Sequence, residues 1–157
     1  MVITRENYRQ VPAHVEVLAK LARGSAGKVT FLPSVIVDTA ANPCTQQLGV
    51  RYSSLVPYLA KALRAHPELF EPLAGDCLFP PCTTGVHLPS FVRLFTLRAD
   101  RPVRYVTPGE PIPETTDMLK LTRCTRCVYD AVCNGVSVYY AREFGMDELS
   151  PVADKKR

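Results

Sequence analysis

Apolar residues recur at helical spacing early in the chain. In "VPAHVEVLAKLARG" they are Val11, Val15, Leu18 and Ala22, and Gly24 follows them. Residues three and four apart lie on one face of a helix, and glycine is a common helix stop. This pattern predicts an amphipathic helix that ends at the glycine.

A second helical pattern lies in "SSLVPYLAKALRAH", where Leu55, Leu59, Ala62 and Leu63 share one face. Its serines are expected to cap the helix. Before each helix lies a stretch rich in β-branched residues, "MVIT" and "KVTFLPSVIV", and each predicts a strand. Strand, helix, strand and helix in alternation predict an α/β fold with a parallel sheet.

The pattern changes after Phe70. "FVRLFTL" and "PVRYVT" predict a β-hairpin, "PGEPIPETTDM" is typical of a connector, and "VSVYYAREFG" predicts a C-terminal helix that ends at Gly145. Of Tyr139 and Tyr140, one is expected to pack inward and the other to face water. The change predicts a boundary near residue 72, between α/β units over 1–71 and a small cysteine-bearing module over 72–157.

Composition and charge narrow the class of protein. The 157 residues are 46% apolar and 22% charged, with a net charge of +4, as in ordinary globular domains. The sequence contains no dense basic stretch with interleaved aromatic residues, so it does not favour nucleic-acid binding. No apolar run approaches the ~20 residues of a membrane span. No secretory leader is visible, so a cytoplasmic location is expected, where six cysteines favour metal binding or chemistry over disulfides.

Three of these cysteines, in "RCTRCVYDAVCNG", have the spacing of a metal site. Cys124 and Cys127 are separated by two residues, and Cys133 follows closely enough to return to the same point. Gly135 tolerates positive φ, which would let backbone N–H groups face the sulfurs. An iron–sulfur cluster, a structural zinc ion and three unmetallated thiols are all compatible with this spacing, and the cluster is favoured.

A fourth ligand must come from elsewhere in the chain. Cys82, in "PPCTTG", is the best candidate because prolines stiffen its approach and a glycine follows it. Cys77 and His87 are its rivals, and His87 is also a candidate for contact with the ligands. Cys44 is interpreted as a plain thiol.

Two arginines flank the cysteine trio. Arg123 and Arg126 could offset the negative charge of a thiolate-bound cluster or contact an acidic partner, although exposed loop arginines are the more common finding. No arrangement of serine, histidine, cysteine and aspartate indicates a catalytic site.

The segment "CTRCVYDAVCNG" resembles the cysteine core of the SPASM and twitch modules of radical S-adenosyl-L-methionine (SAM) enzymes, which hold auxiliary [4Fe-4S] clusters. The resemblance implies one [4Fe-4S] cluster on Cys82, Cys124, Cys127 and Cys133. It also implies that residues 1–71 are similar to the late units of a partial barrel, followed by a twitch-like module. The chain departs from the family because it has no C-x3-C-x2-C motif for the SAM-cleaving cluster.

This departure implies that the chain cannot cleave SAM alone. A radical SAM N-terminal half or a partner protein would supply that reaction, acting on a peptide or small-molecule substrate. With four cysteines on one cluster, no iron is open, which favours electron relay or substrate positioning as its role. The alternative is a zinc-stapled interaction domain with no redox role.

Overall fold

The computed structural model describes residues 1–27, 29–31, 34–35, 48–70, 79–84, 102–114 and 118–153. They form a mixed α/β structure, as the sequence predicts at this level, with four α-helices, a three-stranded sheet and a pair of parallel strands. The partial barrel stays a prediction. No helix among the described residues is long and apolar enough to cross a membrane.

The first predicted unit forms as a strand, a helix and a second strand. Strand β1 (Val2–Ile3) pairs in parallel with β2 (Ser34–Val35), and helix α1 (Val11–Arg23) connects them. The helix ends at Gly24, and its buried face includes Val11 and Val15. The first strand, the helix and the parallel pairing predicted here are confirmed. Of the second predicted strand, over 28–37, Ser34–Val35 forms β2, whereas residues 29–31 are not in a strand. Residues 28, 32–33 and 36–37 lie outside the described residues.

Helix α2 (Tyr52–Ala65) confirms the second helical pattern, and its predicted apolar face is buried. The expectation that serines cap it is wrong. Arg51 is the N-cap residue and makes no side-chain cap hydrogen bond. The Ser53 hydroxyl instead donates to the carboxylate of Glu148, far along the chain.

A three-stranded sheet forms the second half of the described structure. Strand β3 (Val103–Val106) pairs in parallel with β4 (Met118–Leu121), and β4 pairs antiparallel with β5 (Val136–Ser137). The first strand of the predicted hairpin, residues 91–97, lies outside the described residues. The predicted second strand forms as β3, but its described partner β4 was expected to be part of a connector and the approach to the cysteines.

The predicted C-terminal helix forms as α4 (Val138–Phe144), directly after β5. The Ser137 hydroxyl accepts a hydrogen bond from the Tyr140 N–H, and Gly145 follows the helix with φ +74°. The expectation that one tyrosine faces water is wrong, because Tyr139 and Tyr140 are 6% and 5% exposed. Both are buried because the helix packs against β4 and, through the ring of Tyr140, against Tyr52 of α2.

Buried residues from both halves of the chain belong to one hydrophobic cluster, which extends from Ile3 to Leu149.

Hydrogen bonds of the Tyr140 hydroxyl lie beside this cluster. The Tyr140 hydroxyl accepts a hydrogen bond from the Tyr52 N–H at 3.0 Å and donates one to Glu148. The two tyrosine rings stack with centroids 4.1 Å apart. The predicted boundary near residue 72 lies outside the described residues and stays a prediction.

Replacing Tyr140 by phenylalanine should test this contact. Tyr140→Phe keeps the ring stack but removes the acceptor of the Tyr52 N–H and the donor to Glu148. We expect a loss of about 1–3 kcal/mol in the free energy of unfolding, measured by urea denaturation.

Tyr58→Phe is the matched control. Within the described ranges no hydrogen bond to the Tyr58 hydroxyl is present, so its loss should change stability by less than about 0.5 kcal/mol. Equal effects of the two substitutions would contradict the role assigned to the Tyr140 hydroxyl.

Candidate metal centre

Four cysteines from two separate parts of the chain line one cavity. Cys124, Cys127 and Cys133 lie in the loop between β4 and β5, and Cys82 lies on the short helix α3 (Pro81–Thr84). All four are free and partly buried. The structure therefore brings the four cysteines that the sequence singled out to one place.

The loop folds as consecutive tight turns. Cys124 lies in a 3-10 helix over Thr122–Arg126, and the Cys127 N–H donates to the Cys124 carbonyl at 2.8 Å. A further turn follows, in which the Cys133 N–H donates to the Tyr129 carbonyl at 2.8 Å. Because each turn reverses the chain, the second and third cysteines return to the side of the first.

The short helix that carries Cys82 is fixed at its start by proline and threonine. The Thr83 hydroxyl donates to the Pro80 carbonyl at 2.7 Å, and Pro80 and Pro81 also line the cavity. Helix α3 packs on α2. The prolines thus do what the sequence suggested, since they hold the approach of Cys82 in one conformation.

Two of the four sulfurs accept a backbone hydrogen bond. The Gly135 N–H lies 3.2 Å from Cys133 Sγ, and the Val152 N–H lies 3.3 Å from Cys127 Sγ. The backbone of Ser150 and that of Leu121 lower the pKa of Cys82 and of Cys124, respectively, against the larger effect of burial. Such donors stabilise negative charge on sulfur and are one of the levers that set cluster potentials.

Residues 149–152, here called the C-terminal strap, lie across the site. Besides the Val152 N–H donor to sulfur, the strap accepts hydrogen bonds from the Arg123 guanidinium to the Leu149 carbonyl at 2.7 Å and from the Val128 N–H to the Val152 carbonyl at 3.0 Å. No sequence pattern predicts this strap. The one local signal is a proline at 151, which excludes helix at that point.

Three of the thiols are held in their protonated form. Burial raises the pKa of Cys82 to about 12, against a backbone hydrogen bond that lowers it. Burial likewise raises the pKa of Cys124 and of Cys133. Since the thiolate is the nucleophile, these cysteines are poor candidates for nucleophilic catalysis. A bound metal would have to displace their protons.

One buried cation shares the cavity with the cysteines. Lys120, on β4, is 3% exposed, and its ammonium donates to Asp130 Oδ1 at 2.9 Å and to the Asp130 carbonyl at 2.6 Å. Burial lowers the pKa of Lys120, but the hydrogen bond and charge of Asp130 outweigh burial and raise it overall. The lysine is therefore charged. No sequence pattern singles out this residue, because most lysines face water.

The other predicted contact residues are exposed or lie outside the described residues. Arg123 and Arg126 are exposed, which agrees with the more common finding for loop arginines, and Arg123 also binds the strap. His87, Cys77 and Cys44 lie outside the described residues.

The donor set fits a thiolate-bound metal group. Soft thiolates select iron–sulfur clusters and zinc, and within the described part of the chain no histidine lines the cavity.

The cavity has a volume of about 20 Å³, which is room for about one water molecule. In the described ranges, no three His, Cys, Asp or Glu side chains are arranged to hold a single metal ion.

A second, larger cavity lies at the end of β4. Its volume is about 290 Å³, close to the lower end of the range for small-molecule sites. Leu121 and Ala141 contribute apolar walls, while Glu110, Asp147 and Arg123 contribute charges. Arg123 immediately precedes Cys124, so the two cavities are neighbours along the chain.

Gly135 determines how closely the loop can return to the sheet. Its φ is +77°, and a Cβ atom there would lie 2.1 Å from the Leu119 carbonyl oxygen. Gly109 has a similar φ of +90°, but a Cβ atom there would meet nothing within 4 Å. Gly135→Ala should lower the free energy of unfolding by at least about 2 kcal/mol more than Gly109→Ala. A side chain at either position would be strained by the positive φ, but only a Cβ atom at Gly135 would also clash with the backbone of β4.

Urea denaturation of the two glycine variants measures this difference. Both variants keep the chain length, the charge and all cysteines, so Gly109→Ala is a matched control. Equal losses of stability would contradict the close approach of Gly135 to β4.

Raised thiol pKa values predict a pH dependence of the metal-free protein. The folded-state pKa of Cys82 is about 12 against an ordinary 9.0. The buried, protonated Cys82 therefore contributes fully to the free energy of unfolding below about pH 9. This contribution is lost as pH rises towards 12, because the unfolded chain ionises first, and the free energy of unfolding falls by at most about 1.4 kcal/mol per pH unit. Between pH 7.5 and 10, the reduced metal-free protein should lose about 1 kcal/mol more stability than its Cys82→Ala variant.

Urea denaturation at the two pH values, with chelator and reductant present, provides the measurement. Other alkaline transitions are common to both proteins and cancel in the comparison. A Cys82→Ala variant with the same pH dependence as the parent would show that this thiol is not buried in its protonated form.

No protein-family model matches the chain, and no curated protein or solved structure gives a significant match.

Proposed function

We propose that this chain is an auxiliary iron–sulfur protein of the radical SAM type, in which Cys82, Cys124, Cys127 and Cys133 hold one [4Fe-4S] cluster. The observation that carries the proposal is that Cys82, far upstream in the sequence, lines the same cavity as the cysteine trio. Three cysteines at close spacing share a loop whatever their function, but nothing local requires the fourth to join them.

Hydrogen bonding at the sulfurs supports thiolate ligation. Backbone N–H groups from two separate segments, at Gly135 and Val152, donate to Cys133 and Cys127. A buried thiol needs no such donor, since S–H is a weak hydrogen-bonding group, whereas a metal-bound thiolate gains from each one. The arrangement is what a site for negatively charged sulfur requires.

Four protein ligands would leave no iron open to substrate. A bound cluster would supply one-electron transfer, and the chain's residues would shield it from water and stabilise the charge on its sulfurs. Electron relay is therefore the favoured role, in support of a radical-generating partner that acts on a peptide or small molecule.

Substrate positioning is a related role that the second cavity supports. The cavity adjoins the cysteine loop through Leu121 and Arg123, and it combines apolar walls with acidic and basic groups. A small molecule held there would lie beside the loop that carries Cys124. Its position suits a substrate that exchanges an electron with a cluster.

A zinc-stapled interaction domain is the second candidate. The observation in its favour is the cavity volume of about 20 Å³, which is nearer to the room that one ion needs than to that of a four-iron cluster. A cluster would have to separate the cavity walls as it binds. A zinc ion would need only a rearrangement of the sulfurs.

Metal content should distinguish the two candidates. Iron, sulfide and zinc would be quantified on anaerobically purified protein, for the parent chain and for Cys82→Ala, Cys77→Ala and Cys44→Ala. We expect about four irons and four sulfides in the parent. Cys82→Ala should lower this content or make the cluster labile, and the other two variants should retain it.

Each other outcome has a definite meaning. One zinc per chain without sulfide would overturn the cluster and leave the interaction domain. Loss of the cluster in Cys77→Ala but not in Cys82→Ala would move the fourth ligand to Cys77.

A further inference from the structure

Lys120 is a buried cation in a place where an ordinary fold has no need of one. Its three neighbours in β4 are all apolar and buried, and the lysine itself is 3% exposed. Within the described part of the chain, Lys120 and Asn134 are the only buried polar or charged residues. Burying a lysine ammonium group lowers the stability of the fold unless other groups compensate its charge.

The charge of Lys120 is held next to the cysteines by Asp130. Asp130 lies between Cys127 and Cys133, and both it and Lys120 line the cysteine cavity. The Tyr105 hydroxyl also donates to the Asp130 carboxylate, with 2.9 Å to each oxygen, and the Lys120 ammonium lies 5.5 Å from the centre of the Tyr105 ring. Two side chains, those of Asp130 and Tyr105, thus fix the position of the ammonium group.

A cluster bound by four thiolates is negatively charged, and it gains one more negative charge on reduction. A cation fixed nearby in a region of low dielectric constant stabilises the reduced form more than the oxidised form. The exposed cations of the loop, Arg123 and Arg126, act through water and salt, which screen them strongly. Lys120 is not screened in this way.

We propose that Lys120 is the counter-charge that sets the reduction potential of the cluster, with Asp130 moderating its effect. The inference rests on the proposed function, because it concerns the same cavity and requires a redox-active group there. It adds a residue that does not touch iron and acts through its charge. Lys120 is in this sense a positioning and tuning residue, not a ligand.

The competing interpretation is that Lys120 and Asp130 only fasten the cysteine loop to the sheet. The two interpretations differ in the sign of their effects. A fastening role predicts that removing either partner disturbs the loop in the same way. A role in charge balance predicts opposite shifts, because Lys120→Gln removes a positive charge and Asp130→Asn removes the negative charge that offsets it.

The test is a redox titration of the full reconstituted chain with dithionite, followed by electron paramagnetic resonance, with iron and sulfide measured on each sample. Lys120→Gln should disfavour reduction by at least tenfold, a fall of about 59 mV for a one-electron couple. Asp130→Asn should shift the potential upward. Lys120→Arg should stay near the parent, and Arg126→Gln, which removes an exposed cation from the same loop, should shift the potential little.

A fully loaded Lys120→Gln protein with the parent's potential would overturn the inference and leave the proposed function intact. If Lys120→Gln fails to fold or to load, Asp130→Asn decides: an upward shift supports the charge role, and a downward or absent shift overturns it. A parent chain that binds zinc and no iron would overturn the proposed function, and the inference with it.

Discussion

The contact of Gly135 with β4 is the constraint on which the rest of the site depends. At this residue the chain comes back to the sheet with no room for a Cβ atom against the Leu119 carbonyl. That approach lets β5 pair with β4, and the pairing closes the loop that carries three cysteines. The same residue donates its N–H to Cys133, so one glycine both closes the loop and serves a sulfur.

The site is completed by residues that are distant in sequence. The loop contributes three cysteines, α3 contributes Cys82, and the C-terminal strap contributes an N–H donor to Cys127. None of these groups is in place in an unfolded chain, so the free energy of metal binding is in part free energy of folding. Helix α2 has a central place in this arrangement, because it packs against α3 on one side and contacts Tyr140 through Tyr52 on another.

Sequence patterns predicted the helices, where the spacing of apolar residues reflects one buried face. Helix α1 was correctly predicted from the spacing of Val11 and Val15, because one face of the helix is buried and the other is exposed. Strand β4 was missed because all four of its residues are buried, so the alternation that marks a half-exposed strand is absent. The roles of Lys120 and of the strap depend on contacts across the fold, which no local pattern records.

The grouping of the four cysteines at one cavity was predictable for a different reason. Prolines before Cys82 and the close spacing of the trio are chemical signals that do not depend on knowing the fold, and the structure brings these cysteines to one cavity. Charge balance explains why the cavity also needs Lys120. In the metal-free site, burial raises the pKa of Cys82, Cys124 and Cys133, and the charge of Lys120 is paired with that of Asp130. A bound metal would replace the thiol protons, and four thiolates would outweigh the positive charge of either a zinc ion or a cluster core. The loaded site would then be negative in both cases, but only a cluster would change its charge in use, and only there would the proposed role of the buried ammonium group apply.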